Sequence, residues 1–444
     1  MEENKGEIST TQKKVSVFCN GCPECRMDVA KVKEDLGNDP EYEIIRDSKV
    51  ADIIIFMGCM VTQDKEDLSD RIFDKISETA KRDAEVVLAG CMGHLRREQY
   101  PYSKSLAPLV DHIYKICRLE EPTEGGLPSH LPPREFWQQT DCDLDKSITE
   151  KLIHDYCCRK SDETSSLYGF PISAKWIQRI ARYRRWIDKE LNADAEKTYT
   201  IKISSGCTGA CSYCTIRLAR GSIRSKPISV VANEFDFGLK KGYTDFSLVG
   251  TDIGDYGKDQ SSNLLELLTI LDSRDEHFTL RLRNVNPRWL IPSVEQFCEL
   301  IKSKKIGYIL SPVQSGSNRI LERMNRGYNA EDYLEAIRRI RNVRPDICIK
   351  TQVIVGFPGE TDDDFEKSTA LFRTGLFDYI EVYPFTARPS TKAYDFEDTI
   401  PPHVIASRYK KLLFRTFVQV PFLRKTRLGC KGFVSEPVIG PIKK

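Results

Sequence analysis

Residues 199–214 read Tyr-Thr-Ile-Lys-Ile-Ser-Ser-Gly-Cys-Thr-Gly-Ala-Cys-Ser-Tyr-Cys. A short strand-like run opens onto three cysteines, Cys207, Cys211 and Cys214, at C-x-x-x-C-x-x-C spacing. Three thiolates on one short loop can hold three irons of a four-iron cubane and leave the fourth iron without a protein ligand. A cluster needs that open iron if it is to do chemistry rather than only carry electrons. The competing metal is zinc, whose structural sites take four ligands, often as two separated pairs. No fourth Cys or His stands close to this loop in the sequence. Plain buried thiols are the remaining alternative.

Working outward, the rhythm around the loop is α/β. Strands are expected at 199–204, 245–250, 278–284, 307–311, 348–355 and 379–384. Helical segments are expected between them at 229–240, 263–272, 292–303, 330–341 and 363–373. Six βα units without a clear seventh or eighth predict an open partial barrel rather than a closed eightfold one. The cysteine loop then sits at the C-terminal end of the first barrel strand, where such folds place their active sites. After Pro402 a basic helix and an irregular end follow.

Upstream, 14–118 reads as a smaller doubly wound domain. It has strands at 15–18, 51–57 and 85–89, a further strand at 112–115, and helices at 26–36 and 64–81. The run Ala-Asp-Ile-Ile-Ile-Phe-Met at 51–57 is β-branched and fits a strand buried on both faces. Cys22, Cys59 and Cys91 each follow a glycine (Gly21, Gly58, Gly90), and the last two directly follow candidate strands. Equivalent strand ends of one parallel sheet share an edge. These thiols therefore either converge on a second cluster, with Cys19 or Cys25 able to assist, or are buried free thiols.

Residues 1–14 read as a polar tail, and 119–197 as an insert or linker. Within the insert, 173–191 has apolar residues at helical spacing: Trp176, Ile177, Ile180, Tyr183, Ile187 and Leu191. They are interleaved with Lys175, Arg179, Arg182, Arg184, Arg185 and Lys189. Such a helix grips RNA, docks an acidic peptide, or packs its apolar face on the barrel. His154 is a ligand or a surface residue.

The 67 Lys and Arg against 65 Asp and Glu give a net charge of +2, which excludes a globally basic nucleic-acid coat but not a local patch. No run reaches the about 18 apolar residues of a membrane span, and the polar start Met-Glu-Glu-Asn-Lys has no signal-peptide core. A cytoplasmic protein is expected. Its 15 cysteines then belong to a reducing compartment, where disulfides are rare.

Over 14–118 and 198–415 the chain resembles the radical S-adenosylmethionine (SAM) methylthiotransferases. The resemblance rests on the three-cysteine loop followed by Arg220-Gly221 and Arg224-Ser225. Leu248-Val249-Gly250, Pro312-Val313-Gln314-Ser315-Gly316-Ser317, Gly356-Phe357-Pro358-Gly359-Glu360-Thr361 and Arg388-Pro389-Ser390-Thr391 then follow in family order. The three Gly-Cys pairs and Asp28 match the family's amino-terminal domain. The chain departs from the pattern at Cys25, Met57-Gly58, Thr251-Asp252, Leu310 and Gln352. Only 17 residues follow Arg427, too few for the carboxy-terminal TRAM barrel of relatives, so that domain is expected to be absent.

The resemblance implies a doubly wound parallel-sheet domain (15–118), the insert, a partial (β/α)6 radical SAM barrel (198–400) and a helical tail (401–444). It implies two 4Fe-4S clusters, one on Cys207, Cys211 and Cys214 and one on Cys22, Cys59 and Cys91. S-adenosylmethionine would serve as radical source and as methyl donor, and the second cluster would carry the sulfur to be inserted. The implied reaction turns an unactivated C–H into C–S–CH3. The expected substrate is a protein or peptide, the alternative is a tRNA adenosine, and a non-catalytic cluster protein binding RNA or a partner is the reading of a different class. An electron donor such as flavodoxin or ferredoxin is implied. Tyr213 lies against the adenine or is loop packing; Glu234 binds the cofactor's polar end or is a solvated helix carboxylate. Gly250 and Gly356 permit close backbone approach or are turn glycines. Gln314 binds cofactor or plays a core or capping part; Arg220 and Arg224 hold a carboxylate or substrate anion, or are surface charge.

Overall fold

The computed structural model describes residues 12–20, 22–120 and 198–428. The expected basic helix at 173–191, His154, Gly21, most of the tail and insert, and the last 16 residues lie outside them. The described residues fall into two compact units.

The first unit holds a four-stranded, all-parallel sheet in the order β2-β1-β3-β4. Its strands are β1 (Lys13–Cys19), β2 (Tyr42–Ile44), β3 (Ile53–Met57) and β4 (Glu85–Ala89). Its helices are α1 (Pro23–Asn38), α2 (Gln63–Thr79), α3 (Gly90–Leu95) and α4 (Ala107–Arg118). Side chains alternate across a strand, and β3 uses both faces. Ile53, Ile55 and Met57 pack with Val29 and Val32 of α1 and Val110 and Ile113 of α4. Ile54 and Phe56 pack with Leu68, Ile72 and Ile76 of α2 on the other face. Thr62 caps α2 by accepting from the Lys65 N–H at 3.3 Å.

One expected element is corrected: 112–115 is not a strand but part of α4. Leu109, Val110, Ile113, Ile116 and Cys117 recur at three- and four-residue intervals and all reach the core. The apolar pair Ile113-Tyr114 alone is too short to separate the two periods.

The second unit is built on a six-stranded parallel sheet in the order β12-β11-β10-β9-β8-β5, so neighbours in space are neighbours along the chain. The strands are β5 (Thr198–Lys202), β8 (Asp245–Val249), β9 (Thr279–Leu282), β10 (Ile306–Leu310), β11 (Cys348–Val355) and β12 (Tyr379–Pro384). A two-stranded antiparallel ribbon, β6 (Ser204–Ser205) with β7 (Arg224–Ser225), stands apart from this sheet.

Short α5 (Ile216–Arg220) precedes that ribbon's second strand. The crossovers carry α6 (Ile228–Lys240), α7 (Leu264–Asp272), α8 (Pro287–Leu290), α9 (Val294–Leu300), α10 (Asn318–Arg323), α11 (Ala330–Val343) and α12 (Asp362–Ala370). Ile201, Phe246, Leu248, Leu280, Leu282, Ile309, Ile349, Val353 and Ile380 face these helices and form the main core. Thr361 and Asp364 make a reciprocal capping box on α12. The final α13 (Pro402–Leu428) runs along β12, its Thr416 hydroxyl donating to the Ile380 carbonyl at 2.9 Å.

Candidate functional site

The three-cysteine loop is tied at its neck by the β6–β7 ribbon. Gly206 there has φ 79°, and a Cβ would fall 2.1 Å from the Ser222 carbonyl oxygen, so only glycine fits. From the neck the loop is fastened to distant backbone. Ser212 donates its N–H to Met324 O (3.0 Å) and its hydroxyl to Arg323 O (2.8 Å). Asn325 donates to Ala210 O at 2.8 Å, and Arg217 to Gly209 O at 3.0 Å.

Two sulfurs receive N–H donors. The Gly209 N–H points at Cys207 Sγ (3.1 Å), and the buried Arg326 guanidinium at Cys211 Sγ (3.1 Å). Arg326 is itself held by Pro312 O (3.0 Å) and the Tyr328 hydroxyl (2.8 Å). Below Cys207, Asp255 accepts from the Thr208 N–H (2.8 Å), the Thr208 hydroxyl (2.7 Å), Lys258 (2.5 Å) and Arg288 (2.9 Å). Burial works against its charge, but Lys258, Thr208 and Arg288 together hold its carboxyl below the usual range. Asp252 behaves oppositely. Burial first, then the charge of Asp255, push it up to about 6 despite a hydrogen bond from Asn286. Burial and the charge of Asp252 push the Cys207 thiol up to about 12, so iron binding there must displace a proton.

The donor set fits a cubane better than a single ion. Sulfurs on one zinc stand about 3.8 Å apart, given bonds of about 2.3 Å. Among the described residues no three cysteine sulfurs come within 4.8 Å of one another; the trio that close is Cys207 with Asp252 and Asp255. N–H groups aimed at sulfur are what tunes an iron–sulfur centre.

Other expected residues land as follows. The Tyr213 ring packs edge-on against Phe357, centroids 6.4 Å apart, beside Ile320, Met324 and Ala393. Glu234 is not solvated, contrary to one expectation: it is 4% exposed, and Lys226 reaches both its oxygens at 2.7 and 2.9 Å. It lies on the inward stripe of α6 with Val231, Phe235 and Gly238. A Cβ at Gly250 would stand 2.5 Å from Ser204 Oγ; Gly356 has φ 81° and a Cβ there would strike Ile405 of α13. Gln314 has φ 74°, bridges Val353, and its buried Oε1 has no partner within the protein. Such an orphaned acceptor beside a cofactor site is a place for a ligand donor. Arg220 is buried at the end of α5 and Arg224 is exposed on β7.

In the first unit Cys19, Cys59 and Cys91 end or directly follow β1, β3 and β4, while Cys22 caps α1 and Cys25 lies in its first turn. Gly58 and Gly90 are glycines because these strand ends touch: a Cβ on Gly90 (φ 71°) would meet Gly58 O at 3.2 Å, and one on Gly58 would meet Met92 Sδ at 3.0 Å. The Cys59 N–H is held by Ser69 Oγ at 3.0 Å. Burial, together with Cys91, pushes the Cys59 thiol up to about 11, against the Val61 N–H. Cys25 hydrogen-bonds Cys19, and that bond and burial raise it well above a normal thiol. Asp28 is buried on α1.

Arg326, Asp255, Thr208, Asn286 and Arg288 escaped the sequence reading. They carry no local spacing signal, since each meets the loop only through the fold.

A strand-ordered partial barrel with this cysteine loop defines a radical SAM protein, and residues 201–372 match the model of the radical SAM superfamily. Residues 14–111 match a second model, the uncharacterized protein family UPF0004. A probable threonylcarbamoyladenosine tRNA methylthiotransferase of Archaeoglobus fulgidus is 36% identical over 408 residues, 90% of this chain and 82% of that one. The chain therefore belongs to the radical SAM methylthiotransferase family. The threonylcarbamoyladenosine tRNA methylthiotransferase MtaB of Thermotoga maritima is 38% identical over 214 residues, 47% of this chain and 48% of that one, so here the match spans about half the relative's length. The ribosomal protein uS12 methylthiotransferase RimO of a Thermotoga species is 27% identical over 90% of this chain and 82% of its own. Among solved structures, the radical SAM methyltransferase TsrM of Kitasatospora setae shares the fold with TM-score 0.52 at 14% identity, covering 86% of this chain and 77% of that one.

Proposed function

We propose that the protein is a methylthiotransferase that replaces a C–H bond of a tRNA adenosine by C–S–CH3. The observation that carries the chemistry is the loop of Cys207, Cys211 and Cys214 at the end of the first barrel strand, with N–H donors on two of its sulfurs. Cys207, Cys211 and Cys214 would hold one four-iron cluster, and Cys22, Cys59 and Cys91 the other. When bound, these groups and S-adenosylmethionine supply a carbon radical able to take an unactivated hydrogen, and the sulfur and methyl that replace it.

The chain's own residues have separate tasks. Asp255, through Thr208 and Arg288, fixes the loop that presents the thiols. Arg326 places positive charge beside Cys211. The orphaned Gln314 Oε1 would accept a donor of the bound cofactor, while Tyr213 and Phe357 shape the apolar wall behind the loop. The site proposed for Glu234 shrinks to its ion pair with Lys226 unless the cofactor displaces that lysine.

The tRNA reading is supported by the printed activities of the Archaeoglobus and Thermotoga maritima relatives. The protein-or-peptide reading expected from the sequence keeps the uS12 relative as its support, at lower identity. Among the described residues no helix is long and apolar enough to cross a membrane, in keeping with a proposed cytoplasmic location and a flavodoxin- or ferredoxin-like electron donor.

The test is anaerobic reconstitution followed by incubation with S-adenosylmethionine and reductant. Deoxyadenosine is expected, and tRNA from cells with the gene should carry a methylthio-adenosine that is missing without it. A methylthio group found on uS12 instead would reverse the substrate order, and absence of deoxyadenosine would remove the enzyme reading.

A further inference from the structure

The barrel sheet has two chemically different faces. Residues facing the helices are apolar. The alternate residues on the concave face are mostly polar: Lys202 on β5, Asp245 and Ser247 on β8, Arg281 on β9 with Arg283 just beyond it, Tyr308 on β10, Lys350 and Gln352 on β11, and Glu381 on β12.

Among the described residues this face carries four cations and two carboxylates, and both carboxylates are engaged. Arg281 reaches Asp245 at 2.8 Å, with the Thr198 hydroxyl donating to the same carboxylate. Lys350 and Gln352 reach Glu381, each at 2.9 Å. Burial opposes the charge of Glu381, but Lys350 beside it keeps its carboxyl below the usual range.

Between the two arginines lies Tyr308. Its ring is 5.8 Å from the Arg283 guanidinium carbon and 6.0 Å from that of Arg281. Tyr308 is 1% exposed, yet its hydroxyl has no hydrogen-bond partner in the protein. A buried hydroxyl is normally satisfied, and a hydroxyl flanked by two guanidiniums is suited to donate to an anion. Arg283 is partly exposed at the C-terminal end of β9, the end of the sheet that also bears the cysteine loop, and its Nε is steadied by Ser247 Oγ at 3.2 Å. A planar guanidinium so fixed is preorganised for a carboxylate.

We propose that Arg283 and Tyr308 form a carboxylate-binding site on the concave face that selects an adenosine whose N6 substituent ends in a carboxylate, as a threonylcarbamoyl group does. The proposal rests on the tRNA reading above and deepens it. It explains why the barrel lumen is cationic in a chain that is nearly neutral overall, and it sets such a substrate apart from one with an uncharged alkenyl substituent, for which this face offers no apolar pocket.

The probe is a set of anticodon stem-loop RNAs that differ at one adenosine: N6-threonylcarbamoyl, its neutral methyl ester, and N6-dimethylallyl. With the reconstituted wild-type enzyme, kcat/KM is expected to be at least tenfold higher for the free acid than for the ester. Tyr308→Phe removes only the oxygen, and Arg283→Gln keeps a polar stem; both should bring the acid-to-ester ratio toward one. Thermal unfolding shows whether each variant is folded, and because the ratio is internal to each variant, a general loss of rate does not mimic the effect. Turnover of RNA with acid and ester alike in the wild type, or an unchanged ratio in both variants, overturns the carboxylate site alone. If none of the RNAs is turned over by enzyme that forms deoxyadenosine, the tRNA reading fails, and the site with it.

Discussion

At the scale of single residues, the contact with most chemical consequence is Arg326 on Cys211. A permanently charged, buried guanidinium donating to a cluster sulfur stabilises the more negative, reduced cluster and so raises its reduction potential. Arg326→Met should move the midpoint of the barrel cluster to more negative values in an EPR-monitored titration, and Arg326→Lys should fall between the two; equal midpoints would show that the arginine only braces Pro312 and Tyr328. Asp255 makes a different prediction. It holds Thr208 and Arg288 rather than the metal, so Asp255→Ala should loosen the loop and speed iron loss to a chelator roughly ten- to a hundredfold, the usual cost of removing a supporting partner of a metal ligand. The three loop cysteines were legible because they are close in sequence. Arg326 was not: it stands 115 residues from Cys211, and an arginine before a glycine carries no signal of its own. Glu234 was misjudged for a related reason, since Lys226, eight residues before it, precedes the helix and breaks the helical spacing that makes ion pairs readable.

At the scale of elements, strands and long helices were legible because a period of two or of about 3.6 persists over many residues. The run 348–355 was read with its observed limits, and 112–115 was misread because its apolar window was shorter than one decisive repeat. The tail helix was legible, but not what fastens it. Asp378, just before β12 and fully buried, accepts from Arg341 (2.5 Å), from Arg424 (3.0 Å) and Arg427 of α13, and from the Ile349 N–H (2.8 Å). Burial alone would raise its carboxyl, yet Arg341, Arg427 and Arg424 outweigh that and hold it below the ordinary range. A depressed folded pKa means that the stabilisation is present above the unfolded value of about 3.9 and is lost as pH falls through the folded one. Asp378→Asn leaves buried guanidiniums without their counter-charge and should cost about 3–5 kcal/mol at neutral pH in urea unfolding. Its stability should also fall less steeply than the wild type's below about pH 4. A variant as stable as the wild type at pH 7 would mean that α13 is anchored by its apolar side, through Leu412, Leu413 and Val420.

At the scale of the whole molecule, the two sets of cysteines belong to separate compact units, each with its own core. Their loading and loss should therefore be separable, which a single shared site would not allow. With two four-iron clusters the reconstituted chain is expected to hold about eight irons. Changing Cys207, Cys211 and Cys214 together to Ala should leave about four and abolish deoxyadenosine formation. Cys59→Ala is the sharper case. Cys59 directly follows β3, its N–H is held by Ser69, and it couples to Cys91 across the touching Gly58 and Gly90. Its loss removes a ligand without disturbing the sheet, because alanine is smaller and the two glycines remain. The variant should bind about four irons and keep the EPR signal of the barrel cluster. It should still cleave S-adenosylmethionine to deoxyadenosine, since that chemistry needs only the other unit's thiols, but it should form no methylthio product. Iron near eight with product intact would remove Cys59 from the second site and leave Cys19 and Cys25, which hydrogen-bond each other at the same sheet edge, as its replacements. Loss of deoxyadenosine along with product would mean that the two sites are energetically one, despite the independent cores on which they are built.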